Sequence, residues 1–342
     1  MYCEPTESDK DGCPPRRKAR GVHLLSGGLD SQLAACVLRE QGVEVLCVVF
    51  QSLFFDPAKG RQAAERLGFP LLIEDFNTEI LALLRHAPHG FGSALNPCID
   101  CHINMIRRAG AIMRERGLDF VSTGEVLNQR PMSQNPKALR MVARDSGLED
   151  LLLRPLSAQL LPAIRPEREQ LIDRARLHNI EGRSRKRQIA LAQYYGIHDY
   201  PQPAGGCLLT EPNYARRLRN LRDHEGLEDR VLIQRLRLGR HFRMPDSHLI
   251  VGRHHDDNQK LKQDWQAGDA FLQPRRFPGA SGLLRPAVAA DLAAAASICA
   301  HYGKPPADRP ARMTVQISGQ PEQVLEISPA GPDLIARHRI FN

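Results

Sequence analysis

The chain has 342 residues, 42% of them hydrophobic, and its 47 lysines and arginines against 39 acidic residues give a net charge of +8. This length is sufficient for two domains, and the basic excess favours a polyanionic partner without identifying it. No apolar stretch is long enough to span a membrane, and the polar first twenty residues do not resemble a secretory signal, so we expect a cytoplasmic protein without membrane contact and a disordered tail over residues 1–20.

After that tail, apolar segments alternate with segments of helical periodicity. We predict strands over 22–25, 44–50, 70–76 and 118–125, and helices after residue 28 and over 57–67, 77–86 and 102–116. This alternation predicts a parallel α/β sheet covered by helices on both faces. The catalytic crevice is then expected where the loops after Leu25, Phe50 and Val121 converge.

The first loop, Ser26–Ser31, reads SGGLDS and connects a strand to a helix. Two glycines let an anion approach the main chain, and the uncompensated N–H groups of a helix N-terminus attract phosphate. The alternative is an ordinary helix cap provided by Asp30 or Ser31, with no ligand.

This loop resembles the PP-loop signature of ATP pyrophosphatases, a superfamily with an adenine nucleotide alpha hydrolase-like fold that includes tRNA thiolation enzymes. The resemblance implies that the loop holds ATP with Mg²⁺, that the bond between the α and β phosphates is cleaved, that an adenylated intermediate forms and that Asp30 assists catalysis. The ATP-binding residues implied in the loop are Ser26, Gly27, Gly28, Asp30 and Ser31.

Four further residues are candidates for ATP binding. Gly124, just past a strand, is suited to a close approach of adenosine, or is an ordinary turn glycine. Arg183, Arg185 and Lys186 precede a predicted helix and suit phosphate oxygens of ATP or RNA, or form a solvated basic face.

The eight cysteines fall into three groups. Disulfides are rare in cytoplasmic proteins, so each cysteine either fills a core or performs chemistry. We expect buried, inert thiols at Cys36, Cys47 and Cys299, and Cys3 and Cys13 belong to the predicted tail. The chemically interesting cysteines are Cys98, Cys101 and Cys207.

Cys98 and Cys101 form a C-x-x-C pair, a pattern that serves zinc, iron–sulfur and dithiol chemistry. The NPCIDC segment looks like the corresponding region of bacterial tRNA 2-thiouridylases, which implies that Cys101 and Cys207 are a catalytic pair. All three cysteines together resemble the tRNA thiolases that hold a [4Fe–4S] cluster by three thiolates. A cluster, a persulfide or disulfide cycle, and zinc therefore all stay open. The cluster is preferred, because structural zinc usually takes a fourth ligand and a persulfide route needs only two cysteines and leaves Cys98 unexplained.

We assign residues 21–228 to the PP-loop domain and residues 229–342 to a smaller α+β domain. Within the latter, the segment from HLIVGR to PGASG resembles the RNA-binding domain of NFACT proteins. That resemblance implies RNA binding, and the alternative is a purely structural domain.

These observations predict an ATP-dependent sulfurtransferase that adenylates a tRNA nucleobase carbonyl and replaces its oxygen by sulfur. One competing hypothesis is a PP-loop enzyme that sulfurises or amidates a small molecule. The other is an RNA-binding protein with a vestigial ATP loop. The sulfur donor, the modified nucleotide and the oligomeric state are not encoded in any motif that we identified.

Overall fold

The computed structural model describes residues 17–201 and 207–340. The chain divides between Cys207 and Leu208 into two compact units, here called the N-terminal and the C-terminal unit. Most of the predicted tail, with Cys3 and Cys13, lies outside the described residues, and the first strand begins at Arg20. No helix within the described ranges combines the length and apolar character needed to cross a membrane.

Five parallel strands form the sheet of the N-terminal unit, in the order β3-β2-β1-β4-β5. The strands are β1 (Arg20–Leu24), β2 (Glu44–Gln51), β3 (Leu71–Asp75), β4 (Phe120–Thr123) and β5 (Leu152–Leu153). The chain moves outward from β1 to β3 and then returns to β4 on the other side of β1. This change of direction leaves a crevice at the carboxyl ends of β1 and β4. All neighbouring strands pair in parallel, which confirms the predicted parallel sheet.

Within the residues that the structure describes, seven α-helices accompany this sheet. They are α1 (Leu29–Glu40), α2 (Ala58–Leu67), α3 (Asn77–Arg85), α4 (Cys98–Glu115), α5 (Pro136–Asp145), α6 (Arg165–Arg168) and α7 (Lys186–Tyr194). Local sequence explains several boundaries: Gly68 ends α2 with a φ of 68°, and the Asn135 side chain caps α5 by accepting a 2.9 Å bond from the Ala138 amide. Cys36 and Cys47 are buried in the core between α1 and the sheet, as predicted.

Two features of this unit differ from the prediction. Helix α4 begins at Cys98 rather than at residue 102, so the C-x-x-C pair lies in its first turn. Pro97 directly precedes the helix, and proline tolerates this position because it needs no N–H partner there. The short strand β5 was not predicted, because two buried leucines do not give a recognisable period.

Six antiparallel strands form the sheet of the C-terminal unit, in the order β11-β10-β8-β9-β7-β6. The strands are β6 (Arg240–Arg243), β7 (His248–Val251), β8 (Ala270–Pro274), β9 (Gly282–Arg285), β10 (Ala311–Ile317) and β11 (Gln323–Ile327). The helices are α8 (Pro212–His224), α9 (Arg230–Arg235), α10 (His255–Gln263), α11 (Ala289–His301) and α12 (Pro332–His338).

The two faces of this second sheet are covered by different helices. Leu249 and Val251 face the core that contains the alanine-rich α11 and the buried Cys299, whereas Ile250 faces the smaller core that contains Leu261 of α10. Strand residues alternate between the two cores, as a period of two requires. The unit is therefore an α+β domain, as predicted.

The boundary between the units lies earlier than our sequence-based assignment of 21–228 and 229–342. Helix α8 belongs to the C-terminal unit, because the Arg243 guanidinium on β6 donates 2.7 Å bonds to Asn220 of α8 and to Glu225 just after it. Residues 201–207 read PQPAGGC, a proline- and glycine-rich stretch of the kind that separates domains, so the sequence did contain a signal for this division.

Candidate functional site

The loop Ser26–Ser31, which we call the glycine loop, connects the carboxyl end of β1 to α1. Its Gly27 has a φ of 77°. Gly28 is the N-cap residue of α1, with extended backbone and no side-chain cap. The predicted alternative, a cap by Asp30 or Ser31, is therefore wrong, since both residues lie inside the first helical turn. An N-terminus without a side-chain cap leaves its N–H groups available to an anion.

Neighbouring backbone packs closely against the glycine loop on two sides. A Cβ on Gly27 would lie 2.5 Å from the carbonyl oxygen of Lys59, at the start of α2. A Cβ on Gly124 would lie 2.5 Å from the amide nitrogen of Ser31. Gly124 thus lets the loop after β4 contact the first turn of α1. This contact explains the glycine without a nucleotide, and its proposed approach to adenosine stays a prediction.

Hydrogen bonds within the loop fix its shape. The Ser31 hydroxyl donates a 2.8 Å bond to the Gly28 carbonyl, and the Ser26 hydroxyl donates a 3.2 Å bond to the Ser31 hydroxyl. The Gln32 amide, fully buried, donates a 2.9 Å bond to the Gly27 carbonyl. These bonds hold the loop in one conformation, so the two serines have a structural role here in addition to the predicted contact with ATP.

His23 supports the loop from within the sheet, and sequence analysis did not identify it. Burial lowers the pKa of His23 to about 4 even though a bond to the Ser31 backbone opposes this, so the ring is neutral near pH 7. Its Nε2 lies 2.8 Å from the Ser31 carbonyl, which can only accept, so Nε2 carries the proton. Its Nδ1 then accepts a 2.8 Å bond from the Ser122 hydroxyl of β4. His23 therefore ties the first turn of α1 to β4.

Asp30, in the first turn of α1, has a half-buried carboxylate surrounded by polar side chains. Gln129 donates a 3.2 Å bond to Oδ2, whereas the buried Oδ1 has no hydrogen-bond partner among the described residues. Burial raises the pKa of Asp30, and the Gln129 bond, the charges of Arg185 and Arg130 and the nearby Gln188 amide oppose that rise. A buried carboxylate oxygen without a hydrogen-bond partner among the described residues, such as Oδ1 of Asp30, is suited to bind a hard cation such as Mg²⁺, which prefers oxygen ligands.

The predicted basic residues separate into two kinds. Arg185 precedes α7 and places its charge near Asp30, while its guanidinium also lies over the Tyr200 ring at 5.9 Å from the centroid. Arg183 and Lys186 are exposed. The structure thus brings Arg185 to the glycine loop, and phosphate contacts by the other two stay predictions.

Two of the candidate cysteines, Cys98 and Cys207, both act on the third, Cys101. Cys98 and Cys101 lie three residues apart in the first turn of α4 and therefore on the same face. Burial raises the pKa of the Cys101 thiol, and Cys207 and Cys98 raise it further. Asn96 donates a 3.1 Å bond to the Cys98 sulfur. The described residues contain no group of three or more His, Cys, Asp or Glu side chains arranged to hold a metal ion.

Asp100, between the two cysteines, fixes the preceding loop. Its Oδ2 accepts a 3.0 Å bond from the His89 amide, and its Oδ1 lies 2.7 Å from the same histidine's Nδ1. The other ring nitrogen of His89 lies 3.2 Å from Asp145. This clamp holds the segment that leads into the C-x-x-C turn.

Glu125 connects the cysteine helix to the glycine loop, and sequence analysis missed it. It follows Gly124, is fully buried, and accepts a 3.0 Å bond from His102 of α4 and a 2.9 Å bond from Arg154. Burial alone would raise the pKa of Glu125, but Arg154 and His102 outweigh it and hold the pKa at about 2. The carboxylate at the end of an apolar strand, in the sequence VSTGE, was the available signal.

Two family models match separate parts of the chain. Residues 17–160 match the model described as thiamine biosynthesis protein (ThiI). Residues 239–339 match the model of the NFACT protein RNA binding domain.

Curated relatives resemble the N-terminal part. A protein named probable tRNA sulfurtransferase from Finegoldia magna is 30% identical over 152 residues, which cover 43% of this chain and 38% of the relative. A tRNA-specific 2-thiouridylase MnmA from Rhodopseudomonas palustris is 28% identical over 149 residues, covering 38% of this chain and 37% of the relative. The alignments thus span less than two fifths of each relative's length.

A solved 4-thiouridine synthetase in complex with RNA and ATP has a TM-score of 0.39 and 23% identity, and covers 57% of this chain and 45% of that one. This similarity is too low to support an argument about the fold or the site. The N-terminal unit carries a PP-loop domain similar to those of tRNA thiolation enzymes, and the C-terminal unit carries a domain that matches the RNA-binding domain of NFACT proteins, as both sequence resemblances predicted.

Proposed function

We propose that this protein is an ATP-dependent sulfurtransferase that thiolates a nucleobase of tRNA. The observation that carries the proposal is the segment Gly124–Glu125. Its glycine packs against the first turn of α1, and its carboxylate bonds His102, the residue after Cys101. One short segment therefore contacts both the glycine loop and the helix that carries two of the three thiols.

In the first step, the carbonyl oxygen of the nucleobase attacks the α-phosphorus of ATP. A C–O–P linkage forms, the bond to the β-phosphate breaks, and pyrophosphate leaves. The helix N-terminus behind Gly28 and the guanidinium of Arg185 stabilise the negative charge on the phosphates. Mg²⁺ would be held by Asp30, whose Oδ1 lacks another partner among the described residues, and it would neutralise phosphate charge.

In the second step, a sulfur nucleophile attacks the activated carbon. A C–S bond forms and the C–O bond breaks, so that AMP carries away the original carbonyl oxygen. We assign the sulfur to the site of Cys98, Cys101 and Cys207. If it is the outer sulfur of a persulfide on one of Cys101 and Cys207, the thiolate of the other then attacks the S–S bond, which releases the thiolated base and leaves a disulfide that an external thiol must reduce. Thiolates are the ligands that iron–sulfur clusters take, but side chains in the described part of the chain are not arranged as a metal-binding group, so no step is routed through a cluster.

The C-terminal unit is proposed to bind the tRNA. It matches an RNA-binding family, and exposed arginines such as Arg216 and Arg219 lie on α8. Basic side chains on one helix suit contacts with successive phosphates.

Pyrophosphate release from ATP, measured under anaerobic conditions with and without bulk tRNA, tests the reaction. We expect release to depend on tRNA and to be lost in Asp30→Asn, while the exposed Asp308→Asn serves as the matched control. Release without any dependence on tRNA would favour the small-molecule alternative. No release at all would favour an RNA-binding protein with a vestigial loop.

Iron and acid-labile sulfide content distinguishes the two sulfur routes. A cluster held by three thiolates predicts a brown protein whose iron is lost in Cys98→Ser, with Cys36→Ala as the cysteine control. A persulfide on Cys101 or Cys207 predicts an iron-free protein that carries one extra sulfur in mass spectrometry. In that case Cys98→Ser would retain thiolation.

A further inference from the structure

Gln188, in the first turn of α7, is completely buried, yet neither atom of its amide has a hydrogen-bond partner among the described residues. Native proteins rarely leave such a group unsatisfied, because its bonds to water are lost on burial and nothing replaces them. A buried amide with a free donor and a free acceptor is therefore suited to bind an ordered water, an ion or a ligand.

Two other unsatisfied atoms belong to the same neighbourhood. They are Oδ1 of Asp30 and Nε of Arg185, both buried and without a hydrogen-bond partner in the described part of the chain. Helix α7 packs against α1, the helix whose first turn contains Asp30. The charge of Arg185 and the amide of Gln188 both lower the pKa of Asp30, so the three side chains are neighbours, although the Gln188 amide does not meet hydrogen-bond geometry with the Asp30 carboxylate.

The chemistry of these atoms is complementary to a metal–phosphate group. A carboxylate oxygen and an amide oxygen suit a hydrated divalent cation, which keeps several of its waters when bound. A guanidinium N–H and an amide N–H suit phosphate oxygens. An apolar base edge would leave the Asp30 oxygen and the Arg185 nitrogen unsatisfied.

We propose that Gln188 is a residue of the nucleotide site whose amide binds the Mg²⁺-phosphate portion of ATP beside Asp30 and Arg185. This inference rests on the proposed function, because it takes ATP as the ligand of the glycine loop. It adds a contact from α7 that the loop motif does not contain.

The competing explanation is structural: a small rotation would let the Gln188 amide bond the Asp30 carboxylate and so join α7 to α1. The two explanations differ for Gln188→Met, which keeps the length of the side chain and removes its polar atoms. If the amide has no partner in the free protein, this change leaves the apo protein as stable or more stable. If the amide already bonds Asp30, the change lowers the melting temperature.

The experiment measures binding of α,β-methylene-ATP with Mg²⁺ by calorimetry, together with the melting temperature without nucleotide. We expect Gln188→Met to raise Kd by about tenfold or more with no fall in the apo melting temperature. The matched control is Gln193→Met, an exposed glutamine on the same helix, for which both quantities should stay unchanged.

An unchanged Kd in Gln188→Met overturns the inference, and so does a fall in its apo melting temperature. In both cases the wild-type protein still binds the analogue, and the proposed function stands. If the wild-type protein itself does not bind the analogue, the proposed function fails and this inference fails with it.

Discussion

Gly27 and Gly28 are adjacent in the glycine loop, but the structure assigns them different roles, and alanine at each position tests this. Gly27 has a φ of 77°, a region that an L-residue enters at a cost of about 1–2 kcal/mol. Its added Cβ would also meet the carbonyl group of Lys59, with the oxygen at 2.5 Å. Because that group is backbone, relief requires a shift of α2, and such overpacking costs about 1–3 kcal/mol.

Gly27→Ala is therefore expected to destabilise the N-terminal unit by about 2–5 kcal/mol, which for a unit of this size lowers the melting temperature by about 4–20 °C. Gly28 has a φ of −71°. Its Cβ would meet the Ser26 hydroxyl at 3.4 Å, an ordinary contact. Gly28→Ala should thus cost about 1 kcal/mol or less, since it only replaces glycine by a poorer N-cap residue.

Differential scanning calorimetry of both variants measures the difference. The single tryptophan of the chain, Trp265, packs in the C-terminal unit, so its fluorescence follows that unit separately and should report the same transition in both variants. Equal destabilisation by the two substitutions, or a larger effect of Gly28→Ala, would show that the close contact between the glycine loop and α2 is not present in solution.

Three further predictions concern the supports of the site and the C-terminal unit. Folding lowers the pKa of His23 from 6.5 to about 4, so the neutral ring contributes fully to the free energy of unfolding above pH 6.5, and about 3 kcal/mol of that free energy is lost as the pH falls to about 4. Urea unfolding of His23→Gln should lack this part of the acid sensitivity. A pH profile identical to that of the wild type would contradict the buried neutral ring. Glu125→Gln should lower the free energy of unfolding at pH 7 by about 3–5 kcal/mol, because Arg154 loses its buried counter-charge. Since the pKa of Glu125 is lowered from 4.5 to about 2, this loss relative to the wild type is complete above pH 4.5 and shrinks as the pH falls through about 2. A loss that does not change with pH would argue against an ionised carboxylate. Arg216→Ala and Arg219→Ala should each weaken tRNA binding and reduce the slope of log K against log salt by about 1; unchanged slopes in filter binding would remove α8 from the RNA interface.

The strand–loop–helix unit around SGGLDS was predictable, because strand burial, glycine placement and helical period are all local properties. The parallel sheet followed from the alternation of strands and helices. Helix α4 was predicted to begin at residue 102 but begins four residues earlier, at Cys98, because a proline before a C-x-x-C pair can precede either a turn or a helix. The predicted division between residues 228 and 229 was also misplaced, because the contact of α8 with Arg243 joins residues that are distant in the chain, and the proline- and glycine-rich stretch 201–206 was not read as a domain boundary.

The sequence by itself determined that a glycine loop begins a helix after a buried strand, and that three of the cysteines lie outside the predicted core and tail. It could do so because these patterns depend on neighbours in the chain. Tertiary structure alone decided that Glu125 joins the cysteine helix to Arg154, and that Gln188 is buried beside Asp30 without a partner among the described residues. Such contacts join residues far apart in the chain, and their energies depend on burial and on charges that only the folded protein brings together.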